Sequence, residues 1–229
     1  MCHPPIYRNM NFPAPAAVLG FLTAIAGLVL SALTALTLLF LGKVQWARRL
    51  GALVGAGAFV YLALLFGFAL GSREVTLAPG QEKYFCEIDC HLAYSVRASH
   101  EEVQNGQRQL HVTLRTRFDE TTISSRRPKD MPLTPNPRQV LLLDSQGRSF
   151  APVATAGTPL TRNLIPGESY ETELTFRLPA DAAQLRLLIT SPGWEEHLLI
   201  GDENSLGHKK TYLAVPVARL AIVLRDRSG

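Results

Sequence analysis

The chain divides by its polarity pattern into an apolar first third and an alternating remainder. From Ala16 to Leu41 no residue carries a charge, and the hydroxyls of Thr23, Ser31, Thr34 and Thr37 can bond back to their own helix. At ~1.5 Å per residue this run measures about 39 Å, enough to cross a hydrocarbon core of about 30 Å with tilt. A second uncharged run, Leu50 to Ser72, is also long enough to span. The first run is longer than the ~7–15 apolar residues of a cleaved signal peptide and only Arg8 precedes it, so it reads as a retained membrane helix. The link between the runs carries Lys43, Arg48 and Arg49 with no acidic residue, and Trp46 suits a headgroup anchor. The positive-inside tendency places that link in the cytoplasm. The expected organisation is a short tail over 1–15, transmembrane helices over 16–41 and 50–72 joined by a link over 42–49, and a domain over 73–229. Tail and domain then lie across the inner membrane of a double-membraned bacterium, in the periplasm.

The domain has the period of strands. Tyr84, Cys86, Ile88, Cys90, Leu92, Tyr94 and Val96 alternate with more polar neighbours, and Leu110 to Phe118 alternates again. Gln139 to Leu143, the turn Asp144-Ser-Gln-Gly147 and Arg148 to Phe150 read as a hairpin. Further strands are expected over Tyr170–Leu178, Leu185–Thr190 and Thr211–Val215. Strands separated by Pro, Gly and Asp turns, without an amphipathic helix, predict an antiparallel sandwich. Two segments do not fit as strands. Ser124 to Arg138 holds Pro128, Pro132, Pro135 and Pro137 and reads as an exposed loop. Pro192 to His208 reads as a long polar connection with an apolar island at Leu198 to Ile200.

Charge changes the picture only by its placement. All 19 Asp and Glu lie at or beyond Glu74, so the net charge of +4 comes from Arg8, Lys43, Arg48 and Arg49. A pI near 9.1 would suit nucleic acid, but this excess brackets apolar runs rather than lining a face. The partners expected are the lipid bilayer and other membrane or envelope proteins, not nucleic acid. Gly51-x-x-x-Gly55 and Gly67-x-x-x-Gly71 offer flat surfaces for helix contact, including contact between the two spans.

The stretch Leu141-Leu-Leu-Asp-Ser-Gln-Gly-Arg-Ser-Phe150, then Leu164-Ile-Pro-Gly-Glu and Leu174-Thr-Phe-Arg-Leu-Pro-Ala-Asp181, resembles the immunoglobulin-like sandwich domains of uncharacterised bacterial surface lipoproteins and membrane proteins. The shared motifs are a D-x-x-G hairpin, an L-x-P-G-E turn and an F-x-x-P strand end, covering the middle of the domain. The resemblance implies a mainly β, antiparallel immunoglobulin-like fold on a two-helix hairpin. It implies recognition or assembly rather than a reaction.

Cys2, Cys86 and Cys90 are the only cysteines, and the expected topology puts them on the oxidising side. A Cys86–Cys90 disulfide is one reading, although an unbroken strand would separate the pair by about 13 Å, so it requires a turn or bulge. In a second reading both are small buried hydrophobes. In a third, Cys86, Cys90 and His91 supply ligands for copper, with His208 or His197 arriving from the long loop. The plan of a helix hairpin with an outside β-domain looks like subunit II of haem-copper oxidases, whose copper centre also uses a C-x-x-x-C pair. That family carries the pair near the domain's end with a His and a Met close behind, whereas here it opens the domain and Met131 is distant. The fourth reading is covalent haem, from Cys86-x-x-x-Cys90-His91, which has one residue more than the C-x-x-C-H attachment sequence.

Asp202, Glu203, Asn204, Ser205 and His208 could hold calcium or suggest a hydrolase, but the run reads as a solvated loop and no G-x-S-x-G elbow accompanies it. No P-loop, dinucleotide fingerprint or H-E-x-x-H is present. The sequence therefore predicts a non-enzymatic membrane-anchored interaction or assembly module without a cofactor, the alternative being a redox or copper- or haem-handling protein.

Overall fold

A computed structural model describes residues 7–86, 90–104, 107–123 and 128–216. Strand β1 (Tyr7–Arg8) leads into two long helices, α1 (Ala14–Phe40) and α2 (Val44–Leu70). Both are long and apolar enough to cross a membrane. The turn between them is tighter than the sequence suggests, and Trp46, Arg48 and Arg49 already belong to α2. The cause is a glycine stop: Gly42 takes φ +70° while its amide donates to Leu39 O and that of Lys43 donates to Leu38 O, closing a Schellman motif. Thr34 and Thr37 hydroxyls donate to the carbonyls four residues back, as expected for hydroxyls in apolar surroundings.

The seam of the hairpin is not glycine. The less exposed positions of α1 include Ala14, Ala17, Phe21, Ala24, Ser31, Ala35 and Leu38, and those of α2 include Leu50, Val54, Tyr61 and Leu65. These steps of three, four and seven residues mark one face of each helix. A Cβ added at Gly51, Gly55 or Gly67 would meet nothing within 4 Å, and at Gly71 only the carbonyls of its own helix. The expectation that the glycine pairs pack the two spans together is corrected, because Gly51, Gly55 and Gly67 stand clear of the other span.

The rest is a β-sandwich. In chain order the strands are β2 (Val75–Leu77), β3 (Lys83–Phe85), β4 (Leu92–Gln104), β5 (Gln107–Phe118), β6 (Gln139–Leu143), β7 (Ser149–Phe150), β8 (Ala154–Gly157), β9 (Ser169–Leu178), β10 (Arg186–Thr190) and β11 (Thr211–Ala214). A six-stranded sheet has the order β1-β3-β4-β5-β9-β8, and a five-stranded sheet the order β2-β11-β10-β6-β7. Alternate residues of both inner faces form the core, among them Leu110, Val112 and Leu114 of β5, Leu174 and Phe176 of β9, Leu142 of β6, and Leu187 and Ile189 of β10.

The sheets are not wholly antiparallel: β1 pairs parallel with β3, and β2 with β11. Parallel neighbours need a long crossover. The helical hairpin is part of that crossover for β1 and β3, and nearly all of the domain serves β2 and β11. The strands flanking the hairpin thus each become the edge of a different sheet.

The 84–96 alternation hides a break. β3 ends at Phe85, β4 begins at Leu92 and the two pair antiparallel, so the chain reverses between Phe85 and Leu92. The Asp144–Gly147 hairpin is present, with Gly147 at φ +77° and the Asp144 carboxylate accepting the amides of Gln146 and Arg148. Gly167 of the Leu164–Glu168 turn likewise takes φ +86°.

Candidate functional site

The most concentrated polar chemistry lies where the sandwich meets the hairpin. The run Asp202-Glu203-Asn204-Ser205, which reads as a solvated loop, is buried, with Asp202 2% and Glu203 1% exposed. Burial of such groups requires partners, and they come from distant parts of the chain. Lys83, fully buried on β3, donates to Ile189 O at 2.8 Å, to Thr211 O at 3.0 Å and to the Glu203 carboxylate. The other Glu203 oxygen accepts the Thr211 amide at 3.3 Å. Asn9 Nδ2 donates to Asp202 Oδ2 at 3.1 Å, its Oδ1 accepts the Cys86 amide at 2.7 Å, and its carbonyl accepts the Glu203 amide at 2.8 Å. Lys210 Nζ donates to Asn204 Oδ1 at 2.8 Å.

Electrostatics follow from that burial. Desolvation pushes the Asp202 carboxyl up to about 7; the Asn204 amide pulls the other way, and the charges of Glu196 and Glu203 add to the rise. Burial lowers Lys83 and Lys210, with Glu203 opposing in both cases.

The same region binds the helices. Tyr61 of α2 donates its hydroxyl to Leu198 O at 2.7 Å, Asn11 Nδ2 donates to Phe68 O at 3.2 Å, and the Lys209 amide donates to Ser72 Oγ at 2.8 Å. Phe12 meets Phe68 edge-to-face at 4.9 Å. Gly201, at φ +76°, lies so close to the segment before α1 that a Cβ there would sit 2.5 Å from the Phe12 Cβ. Hydrogen bonds, an aromatic contact and a close backbone approach therefore fasten the domain to the hairpin.

Cys86 and Cys90 form a disulfide with a Cα–Cα distance of 4.0 Å. It becomes possible because β3 ends before Cys86 and β4, after Cys90, pairs back on it, so no continuous strand separates the two. Cys86 packs with Met10, Ala14 and Ala17 in a small second core, so the bridge rests on the start of α1. A paired sulfur is not the thiolate that binds soft metals. His91 stacks on Phe118 at 5.5 Å with Nδ1 2.7 Å from Thr122 Oγ1. His208 directs Nδ1 to Lys209 O, and burial lowers its pKa. His197 directs Nδ1 to Asn204 O at 2.8 Å. The ligand set Cys86, Cys90, His91 and His208 is therefore not brought together in this disulfide-bonded form, and the likeness to the oxidase subunit has no support in this geometry. The buried Ser205 hydroxyl donates to Asp202 O at 2.6 Å. Cys2 lies outside the described residues.

Among the described residues one group of His, Cys, Asp and Glu side chains has its ligand atoms within 4.8 Å of one another: His100, His111 and Glu173, on the outer face of the larger sheet. Sequence reading missed it because the three belong to three strands. The register also shifts between Val96 and Ala98, which moves His100 off the face that unbroken alternation would assign.

No family model matches the chain, and no curated protein matches it. Among solved structures it is similar to the secreted protein MPT63 of Mycobacterium tuberculosis, at 10% identity over 62% of this chain and 98% of that one, with a TM-score of 0.41. It is also similar to an uncharacterized β-sandwich protein of Clostridium difficile 630, at 8% identity over 63% of this chain and 96% of that one, with a TM-score of 0.38.

Proposed function

We propose that this chain is a membrane-anchored module of the bacterial envelope that acts through protein contacts, as an accessory subunit or assembly factor. In this reading α1 and α2 cross the inner membrane, Lys43, Arg48 and Arg49 hold their link at the cytoplasmic surface, and an immunoglobulin-like sandwich stands in the periplasm. The observation that carries the reading is the fastening of sandwich to hairpin through Tyr61–Leu198, Asn11–Phe68 and Ser72–Lys209. A domain held in one orientation at the membrane suits docking against another membrane protein, whereas a substrate-seeking domain on a tether needs no such lock. The open Gly51 and Gly55, one turn apart, add a strip of α2 on which a partner's helix can approach closely.

The test is purification of the tagged full-length chain from its native membrane in mild detergent. A stoichiometric membrane partner should co-purify and be lost when Gly51 and Gly55 are replaced by Leu, with the thermal midpoint of the chain unchanged. A chain that elutes alone, at the mass of one protein in its micelle, overturns the reading.

A further inference from the structure

We propose that the outer face of the six-stranded sheet carries a binding site for a divalent transition-metal ion, with His100, His111 and Glu173 as protein ligands. This site is separate from the junction with the hairpin and does not depend on the proposed docking role.

Strand geometry brings the three together. His100 of β4 and His111 of β5 are direct cross-strand partners, and their rings stack at 4.6 Å between centroids, 4° from parallel. On β9, Thr175 is the partner of His111, and Glu173 lies two residues along on the same face. The register shift after Val96 makes this possible. Val96 faces the core opposite Leu114, whereas Ala98, His100 and Glu102 pair with Thr113, His111 and Gln109, outward-facing positions of β5.

The distances suit coordination. Nδ1 of His111 lies 2.9 Å from Glu173 Oε1 and 3.2 Å from Thr175 Oγ1, and all the ligand atoms fall within 4.8 Å of one another. Four ligands at about 2.0–2.1 Å from a tetrahedral ion stand about 3.3–3.4 Å apart, so the exposed His100 ring has to turn out of its stack on the half-buried His111 to bring a nitrogen to the ion. Nε2 of His111 lies 3.2 Å from Glu102 Oε1. With the ion on Nδ1, the opposite N–H has a carboxylate to donate to, which fixes tautomer and ring orientation as the outer partners of metal-binding histidines do. Imidazole with carboxylate favours zinc, copper(II) or nickel over calcium and magnesium, which take oxygen ligands. Water fills the remaining position, because the site lies on the solvent face of the sheet. Three antiparallel strands hold the ligands, so little order has to be imposed on binding.

The experiment uses the full-length chain in detergent, purified without a polyhistidine tag and stripped with chelator. Zinc is titrated against a chromophoric competitor, and copper(II) is followed by electron paramagnetic resonance. One ion per chain is expected, with the copper spectrum showing two nitrogen ligands. His100→Ala and His111→Ala should each weaken binding at least about 10-fold, and zinc should raise the thermal midpoint of the parent chain but not of the double variant. If an alanine variant does not fold, His100→Gln and His111→Gln carry the same comparison. Affinity unchanged in the double variant, or no binding by the parent chain at micromolar metal, overturns the site.

Discussion

Asn9 Nδ2 donates to Asp202 Oδ2 across 3.1 Å and 193 residues of sequence, joining the segment that enters α1 to the loop that leads into β11. Around that bond the chain buries Asp202, Glu203 and Lys83. The physical return is mechanical: each polar group must hold its partner or incur the desolvation cost, so the pieces bearing them stay together. Whether hairpin and sandwich act as one body therefore depends on the ionisation and packing of a few side chains.

The first expected consequence is a pH dependence of stability. Burial raises Asp202 from an ordinary 3.8 to about 7 in the folded chain. Between those values the unfolded chain has ionised this group while the folded chain keeps its proton. The contribution is thus fully present below about pH 4 and is lost as pH rises through about 7, with an upper bound of about 4 kcal/mol. Asp202→Asn should flatten that slope in denaturant melts between pH 4.5 and 8. An identical slope in the variant would show that the group does not titrate there.

Asp119 should act in the opposite sense at lower pH. Burial alone would raise its carboxyl, but bonds from Tyr84, Thr121 and Arg117 outweigh that and hold it at about 2. Its stabilisation is present above its ordinary 3.8 and fades as pH falls towards about 2. Asp119→Asn should remove the acid limb of the stability profile while leaving the limb above pH 4.5 in place.

The buried ion pair of Lys83 and Glu203 gives a prediction in which the double change matters more than either single one. Lys83→Met strands a buried carboxylate and should cost about 3–5 kcal/mol, whereas Lys83→Met with Glu203→Gln should recover much of that loss. Urea denaturation of Lys83→Met, Glu203→Gln and the double variant, read as a double-mutant cycle, measures the coupling. Additive losses would mean that the two side chains do not depend on each other.

Much of the architecture is legible along the chain, and the exceptions share a physical origin. The helices are marked by uncharged runs, β5 and β9 by alternation, and β6 and β10 by short apolar runs next to turn residues. The break between β3 and β4 is hidden because apolar positions keep their phase on both sides of it. The shift after Val96 is invisible because small and polar residues suit either face. Asp202 to Ser205 read as solvated because their partners, Asn9, Lys83 and Lys210, are supplied by folding and not by neighbours. Local pattern reports local preference; tertiary satisfaction of buried polar groups lies beyond it.

Gly201 tests whether the fastening depends on close backbone approach. Its φ of +76° disfavours any side chain, and a Cβ there would press on Phe12 Cβ at 2.5 Å and Asn11 Oδ1 at 2.7 Å. Relief requires the segment from Asn9 to Phe12 to move away, which would also loosen the Asn11 amide that donates to Gly201 O at 2.9 Å. Gly201→Ala should therefore lower stability by about 1–3 kcal/mol and speed hydrogen exchange at Asn9 and Asn11 while the β5 and β9 amides stay protected. Uniformly faster exchange would mean that the glycine serves the whole sandwich and not the joint with the helices.

The disulfide should have a different signature. Its loop is short, so the constraint it places on the unfolded chain is small, about 2 kcal/mol by loop-closure entropy. In the fold, however, Cys86 rests on Met10, Ala14 and Ala17. Replacing both cysteines with Ser should thus cost about 2 kcal/mol or more overall, because two hydroxyls replace sulfur in an apolar contact, whereas Cys86→Ala with Cys90→Ala keeps the apolar character. The difference between the serine and alanine pairs, read from thermal melts in oxidising buffer, isolates the contact with α1. Equal melts for the two pairs would leave the covalent link as the bridge's whole contribution and detach the second core from the stability of the joint.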